Sequence, residues 1–269
     1  GVVYAVPGSD ASVAPHYSSN QKDTYVDASG ATQTYNVNSV INLRNINKGH
    51  SYSFSAKFEK SFDFGLDLMA SYTFGHSKSV NDGTSSVATS NWGYYYSVDP
   101  NQKSMSYSMF DIPQRIQFQA NYNSKMYGGN HWQSHVSLTY NGYSGQRYSL
   151  TMSDAQSSSF NGDYQKGNSL LYIPTDDELS KMNFTSESDR TSFKNWIEGD
   201  KYAKDHRGQY AIRNSNMAPW ENHFDFHFAQ DFFYLPARGS KVSLIFDILN
   251  VGNLLNKHWG EYYAGSYNY

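Results

Sequence analysis

The 269 residues contain no cysteine. Disulfide scaffolds, thiolate zinc sites and thiol nucleophiles are therefore excluded. Long apolar runs are also missing: nowhere do about 18 apolar residues follow one another, so no transmembrane helix is expected. Charge is sparse and nearly balanced, with 21 Lys and Arg against 24 Asp and Glu. That balance gives no support for nucleic-acid binding. No secretion signal opens the sequence at Gly1, as expected of a mature or processed chain or of one without its targeting segment. No G-x-S-x-G, H-E-x-x-H or phosphate-binding loop occurs, so catalysis is not expected.

Against these absences stand 24 Tyr and 16 Phe. Disordered chains are poor in aromatics, so a folded chain is expected. Mean hydropathy is only -0.69. A low mean is compatible with membrane-spanning strands, which need only every second residue apolar over about ten positions.

Alternation is the dominant pattern. Tyr52, Phe54, Ala56 and Phe58 face away from Ser53, Ser55, Lys57 and Glu59. Phe64, Leu66, Leu68, Ala70, Tyr72 and Phe74 continue it after a turn at Asp63. Further runs are Ile116 to Tyr122, Trp132 to Tyr140, Phe224 to Phe232 and Val242 to Ile248, the last weakened by Ile245 and Leu249. Period two predicts half-buried β-strands. Tyr35, Val37, Ile41 and Leu43 suggest one more, with Asn45 to Gly49 as its turn into the Tyr52 strand.

The connections also alternate. Short turns rich in Gly, Asn, Asp and Pro fall near Asp63, at Tyr127–Asn130 and at Pro236–Ser240. Long segments lie between, from about Ser77 to Pro113 and from about Asn141 to Glu221. Short turns at one rim and long loops at the other are the layout of an outer-membrane barrel. Rings near the strand ends, among them Tyr52, Tyr72, Phe74, Tyr122, Trp132 and Tyr140, fit its two aromatic girdles. In the second loop Thr175 and Glu178 form a capping box, predicting a helix to about Lys181. Phe193, Trp196 and Ile197 share one side of a second helix over 188–198, which Gly199 can end. The fold class expected is all-β: antiparallel outer-membrane barrel strands, about eight of them, with short helices in a long extracellular loop.

Few residues point to chemistry. His223 and His227 share a strand side but lie about 13 Å apart, too far to chelate one ion unaided. Asp176, Asp177 and Glu178 suit a helix N-terminus as well as a calcium ion. Asn81-Asp82-Gly83 lacks the remaining ligands of a calcium loop and suits a turn. Asp225 and Asp231 share a strand side without a sign of acid–base pairing. Asn183-Phe184-Thr185 matches a glycosylation sequon, a chance match if the source is bacterial. No metal, cofactor or catalytic residue is expected. Trp92, Tyr94, Tyr95 and Tyr96 remain, either as rings stacking on a ligand or as loop-to-loop packing.

The run Phe246 to Asn256, with Asp247, Asn250, Asn253, Leu254, Leu255 and Asn256, resembles a late-barrel signature of TonB-dependent outer-membrane receptors. Lys257 to Gly260 extends the likeness. Asn47 to Tyr52, Phe74 to Ser79, Asn81 to Ser86, Asp111 to Arg115 and Leu171 to Pro174 resemble the Bacteroidetes subgroup called Oar-like, whose members carry a carboxypeptidase-regulatory-like N-terminal domain. The resemblance covers most of the chain from Gly49 and implies a barrel of about twenty-two strands with a plug and a TonB box. Neither plug nor TonB box is recognisable, so residues 1–269 are expected to be a C-terminal part of one barrel domain, truncated at both ends. It implies energised nutrient transport in the outer membrane. The implied partners are lipid, the rest of the barrel and its plug, the TonB complex and a surface lipoprotein. Two other readings stay open: a soluble β-sandwich binding carbohydrate, and a surface adhesin without transport. The barrel reading requires Phe54, Leu66, Phe118, Leu138 and Phe226 to point outward and not into a dry core.

Overall fold

The computed structural model describes residues 2–5, 13–16, 21–37, 44–152, 167–235 and 238–261. Two N-terminal hairpins come first: β1 (Val2–Ala5) with β2 (Val13–His16), and β3 (Gln21–Val26) with β4 (Thr32–Val37). Next come β5 (His50–Ser61), β6 (Leu66–Ser79), helix α1 (Ala88–Gly93), β7 (Ser106–Tyr107), β8 (Gln114–Asn123) and β9 (Trp132–Tyr143). The second long loop holds β10 (Arg147–Tyr148), β11 (Tyr172–Ile173), α2 (Asp176–Lys181), α3 (Glu187–Gly199), α4 (Lys201–Asp205), β12 (Gln209–Tyr210) and β13 (Asn216–Met217). The chain then re-enters the sheet as β14 (Glu221–Leu235) and β15 (Ser240–Ile248), followed by a 3-10 turn, Val251–Leu254.

The main sheet runs β15-β14-β9-β8-β6-β5, antiparallel throughout, with short β7 beside β6. Its six long strands have 9 to 15 residues. A strand tilted across a bilayer needs about 9–11. The long strands form one sheet, not the two facing sheets of a sandwich.

Register keeps like with like. Phe54 faces Phe74, Tyr72 faces Ile116, Phe118 faces Tyr140, Phe226 faces Leu138 and Phe228 faces Phe246. A one-residue slip would move every ring to the other side, so this register is strongly specified. The apolar side has no cover. Phe54 is 66% exposed and Leu138 37%; Leu66, Phe118 and Phe226 are half-buried by their own sheet neighbours. None of the five lies in a core. On the other side polar groups bond across strands: Ser55 with Thr73 at 2.8 Å, the Gln117 amide to Asn141 at 3.0 Å, and the Ser137 hydroxyl to Asn121 at 2.6 Å.

Aromatic rings mark both rims. At the long-loop rim Tyr140 packs on Phe224 at 4.5 Å, and Trp259 stacks on Phe224 at 5.4 Å. At the turn rim Tyr127 meets Trp132 edge-on at 5.7 Å, and Phe62 meets Phe64 at 5.4 Å. Eight residues separate Phe224 from Phe232. They span roughly 27 Å along the strand, or roughly 20 Å after barrel tilt, close to the height of an apolar band.

Two sequence expectations need correction. The second strand starts at Leu66, because Phe62 to Gly65 form the turn. Gly65 has φ +96°, and a Cβ there would stand 2.0 Å from the Asn123 carbonyl oxygen. Secondly, the Tyr35–Val37 strand exists but pairs with β3, not with β5; Ile41 and Leu43 lie outside the described residues. Among the described residues the main sheet joins seven strands, in keeping with the about eight expected. The turn at Tyr127–Asn130 is as expected, with positive φ at Gly128, Gly129 and Asn130. Residues 236 and 237 of the third turn lie outside the described residues.

The buried apolar cluster sits elsewhere. Ile173, Ile197, Ala203 and Ala211 pack together in the second loop, with Leu150, Leu171, Phe193 and Tyr202 around them. The expected α2 and α3 supply much of this cap. The Thr175–Glu178 capping box is present, and the buried Glu178 also accepts from the Tyr172 hydroxyl at 2.7 Å. Burial works against ionisation of Glu178, yet the Thr175 amide and the Tyr172 and Thr175 hydroxyls outweigh it and lower its pKa.

Candidate functional site

A cleft of about 840 Å³ opens between the two long loops. One wall comes from residues 81–96 of the first loop. The other comes from residues 146–152, from Phe193 and Trp196 on α3, and from Arg213, Asn214 and Pro219. Each loop sits at the same end of the sheet, because β6, β9 and β14 all begin or end there.

Two buried arginines hold the loops together. The Arg147 Nε donates to Asp111 at 2.6 Å, and its Nη1 donates to the Asn214 carbonyl at 3.2 Å. Its guanidinium also lies 3.6 Å from the centre of the Tyr107 ring. Asp111 is pinned further by the Ser77 amide at 2.5 Å and by His76 at 3.3 Å. Arg213 donates through Nη2 to the carbonyls of Ser79 at 2.7 Å and Val80 at 3.1 Å, and pairs with Asp82 at 3.4 Å. It lies 4.5 Å over Tyr95. Burial raises the cost of charging Asp82. The Met109 amide, the Ser79 and Ser108 hydroxyls and the Arg213 charge prevail, and the Asp82 pKa falls. Asn214 adds a bond to the Tyr107 carbonyl at 2.9 Å, and Asn168 one to the Gly93 carbonyl at 2.6 Å. Buried ions of this kind hold only when paired and hydrogen-bonded.

Of the four loop aromatics singled out from the sequence, Tyr94, Tyr95 and Tyr96 line the cleft. Tyr94 is 70% exposed. Trp92 sits half-buried on α1 and is not part of the cleft wall. Phe193 and Trp196, expected only as a helix side, stack at 5.7 Å with planes 7° apart and form an apolar wall. Sequence reading missed Asp82, Asp111, Arg147 and Arg213 as loop clamps. A buried Arg carries no local signal, and Arg213 reaches Asp82 across 131 residues.

The remaining candidates have ordinary partners. His227 bonds Asp247 at 2.5 Å, while His223 stacks on Tyr143 at 5.6 Å. Asp225 accepts from the Asn250 amide at 2.8 Å. Asp231 is buried on the polar side of the sheet, held by Lys241, by Ser243 at 2.6 Å and by His135 at 3.3 Å. Asp177 pairs with Lys181 at 2.5 Å, and Asp176 with Arg207 at 3.2 Å. Asn81-Asp82-Gly83 does turn, with the Gly83 backbone N–H donating to the Asn81 side-chain Oδ1 at 2.8 Å.

With both arginines neutralised by carboxylates, the cleft offers rings, amides and hydroxyls and little net charge. Such a surface suits a solute with flat apolar sides and scattered hydrogen-bonding groups.

No curated protein and no solved structure matches the chain. Residues 6–257 match the family described as outer membrane beta barrel domain. The uncovered apolar side, the polar opposite side and the paired girdles are what that family's place in a bilayer requires. By that match, over nearly its whole length, the chain belongs to the outer membrane beta barrel domain family and is a protein of the bacterial outer membrane.

Proposed function

We propose that this protein carries a nutrient across the outer membrane, as the resemblance of Phe246 to Asn256 to TonB-dependent receptors implies, with the two-loop cleft as its capture site. The observation that carries the reading is the cleft itself. It stands at the long-loop end of the sheet, where a captured solute would pass on along the polar side of the strands. Tyr94, Tyr95, Tyr96, Phe193 and Trp196 supply stacking surfaces there. Energy would come through the TonB complex, and a plug would block the lumen at rest. A surface lipoprotein would assist capture. The subgroup assignment, Oar-like and of Bacteroidetes, rests on the motifs around Asn47, Phe74, Asp111 and Leu171. Catalysis has no part in the reading.

The test is solute depletion. Cells lacking the protein are complemented with wild type or with a Tyr95→Ala/Trp196→Ala double variant, then grown in a complex medium. The reading expects at least one solute class to persist in the medium with no protein, with the double variant and with wild type in a TonB-deficient strain. Identical depletion in every case would overturn it.

A further inference from the structure

The outward side of β5 and β6 changes character along its length. From the middle toward the long-loop rim its paired residues read Phe58–Ala70, Ala56–Tyr72, Phe54–Phe74, Tyr52–His76 and His50–Lys78. All ten point to the apolar side. Tyr52 lies 6.4 Å from Phe74 and 6.0 Å from His76, and His50 stacks on Tyr52 with planes 8° apart. Hydrocarbon-facing residues thus give way to rings and then to basic groups.

Two more lysines gather at the same corner. Lys48 donates its ammonium to the Lys103 carbonyl at 3.2 Å. Gly49 lies against the backbone of Lys78 and Ser79. Lys48, His50 and Lys103 are exposed; Lys78 is half-buried, its ammonium 4.6 Å from the centre of the Tyr107 ring. Of the three acids of the adjoining loop, Asp82 and Asp111 are engaged by Arg213 and Arg147, and Asp99 accepts from the Asn101 amide at 2.8 Å. Among the described residues no carboxylate pairs with Lys48, Lys78 or Lys103. Lys78 thus stands beside the aromatic belt without a carboxylate partner, and exposed Lys48 and Lys103, tied to each other through the Lys103 carbonyl, add two more such ammonium groups at this corner. The long-loop rim faces the outer leaflet.

We infer that this corner docks the phosphorylated headgroup of an outer-leaflet glycolipid. Its phosphates sit among Lys48, Lys78 and Lys103, and its acyl chains run down Phe54, Phe58, Tyr72 and Phe74. Charge complementarity selects this occupant: cations near a membrane surface attract anionic lipid, and aromatic rings anchor at headgroup depth. The inference rests on outer-membrane placement and is independent of transport.

The test uses the full-length protein in detergent, titrated separately with phosphorylated lipid A, its dephosphorylated form and inorganic phosphate. Wild type is compared with single and triple Lys→Gln variants at 48, 78 and 103. A triple Lys→Arg variant and a Lys57→Gln/Lys125→Gln control complete the set. Folding is checked by heat-modifiable gel migration. The expected result is about fivefold weaker binding of phosphorylated lipid for each Lys→Gln change, retention in the Arg variant and in the control, and weakening by salt. If the triple Gln variant does not fold, the single changes at exposed Lys48 and Lys103 carry the comparison. The inference is overturned by unchanged binding in the folded Gln variants, by equal affinity for the dephosphorylated lipid, or by inorganic phosphate binding as tightly as the lipid.

Discussion

The cap of the second loop and the main sheet solve opposite solvent problems with the same residue types. In the cap, Ile173 and Ile197 are fully buried while Lys194, Lys201 and Lys204 are exposed. In the sheet, Phe54, Leu244 and Phe246 are exposed while Asp231 is buried on the other side. The cap gathers its apolar side chains away from water, the usual source of folding stability. The sheet makes sense only if hydrocarbon replaces water over its apolar side. One chain thus carries two hydrophobic patterns, and each is informative only against its own solvent.

Breaking the clamps between cap and sheet should have the largest effect. Arg213→Ala leaves Asp82 buried without its cation and should cost about 3–5 kcal/mol. Limited proteolysis should then cut the loops between 80 and 220, while heat-modifiable gel migration reports an intact barrel. Next comes Leu138→Arg. A cation facing the bilayer midplane should cost about 2–4 kcal/mol. Ser137→Arg, on the polar side one residue away, should cost far less. Denaturant titration of protein folded into vesicles measures both, and equal costs would remove the distinction between the two sides.

A smaller loss is expected from Thr175→Ala, which removes the cap of α2 and should cost about 1 kcal/mol. Hydrogen exchange should speed up in 176–181 and leave β8 and β9 unaffected. The mildest lever is pH. Asp82 and Glu178 have folded pKa values below their ordinary 3.8 and 4.5. Their contribution is complete above those ordinary values and is lost as pH falls below them toward the depressed folded values. Stability of the loops should therefore rise with pH through the acid range. Asp82→Asn should flatten that dependence, as read by loop proteolysis between pH 5 and pH 2, a range set by those ordinary values.

The sheet was legible because each long strand repeats its pattern every second residue, and because register then follows from keeping one side apolar. Helices α2 and α3 were legible from Thr175, Glu178 and the Phe193–Ile197 spacing. Helix α1 was not: its N-cap is Val87, which offers no side-chain bond. Helix α4 is capped by Asp200, directly after the Gly199 that ends α3. The cleft was half legible. Its tyrosines form a conspicuous run, but Trp92 beside them does not line it. Its arginine clamps depend on contacts between distant segments, which no local pattern encodes.

The central claim is that the apolar side of the sheet meets lipid, and the absence of native cysteine makes it directly measurable. Leu138→Cys, Leu244→Cys, Thr139→Cys and Ser243→Cys are each spin-labelled in reconstituted protein and probed with oxygen and a water-soluble nickel relaxant. Labels at 138 and 244 should respond to oxygen and be shielded from nickel, with the reverse at 139 and 243. Nickel access at 138 and 244 equal to that at 139 and 243 would contradict the account.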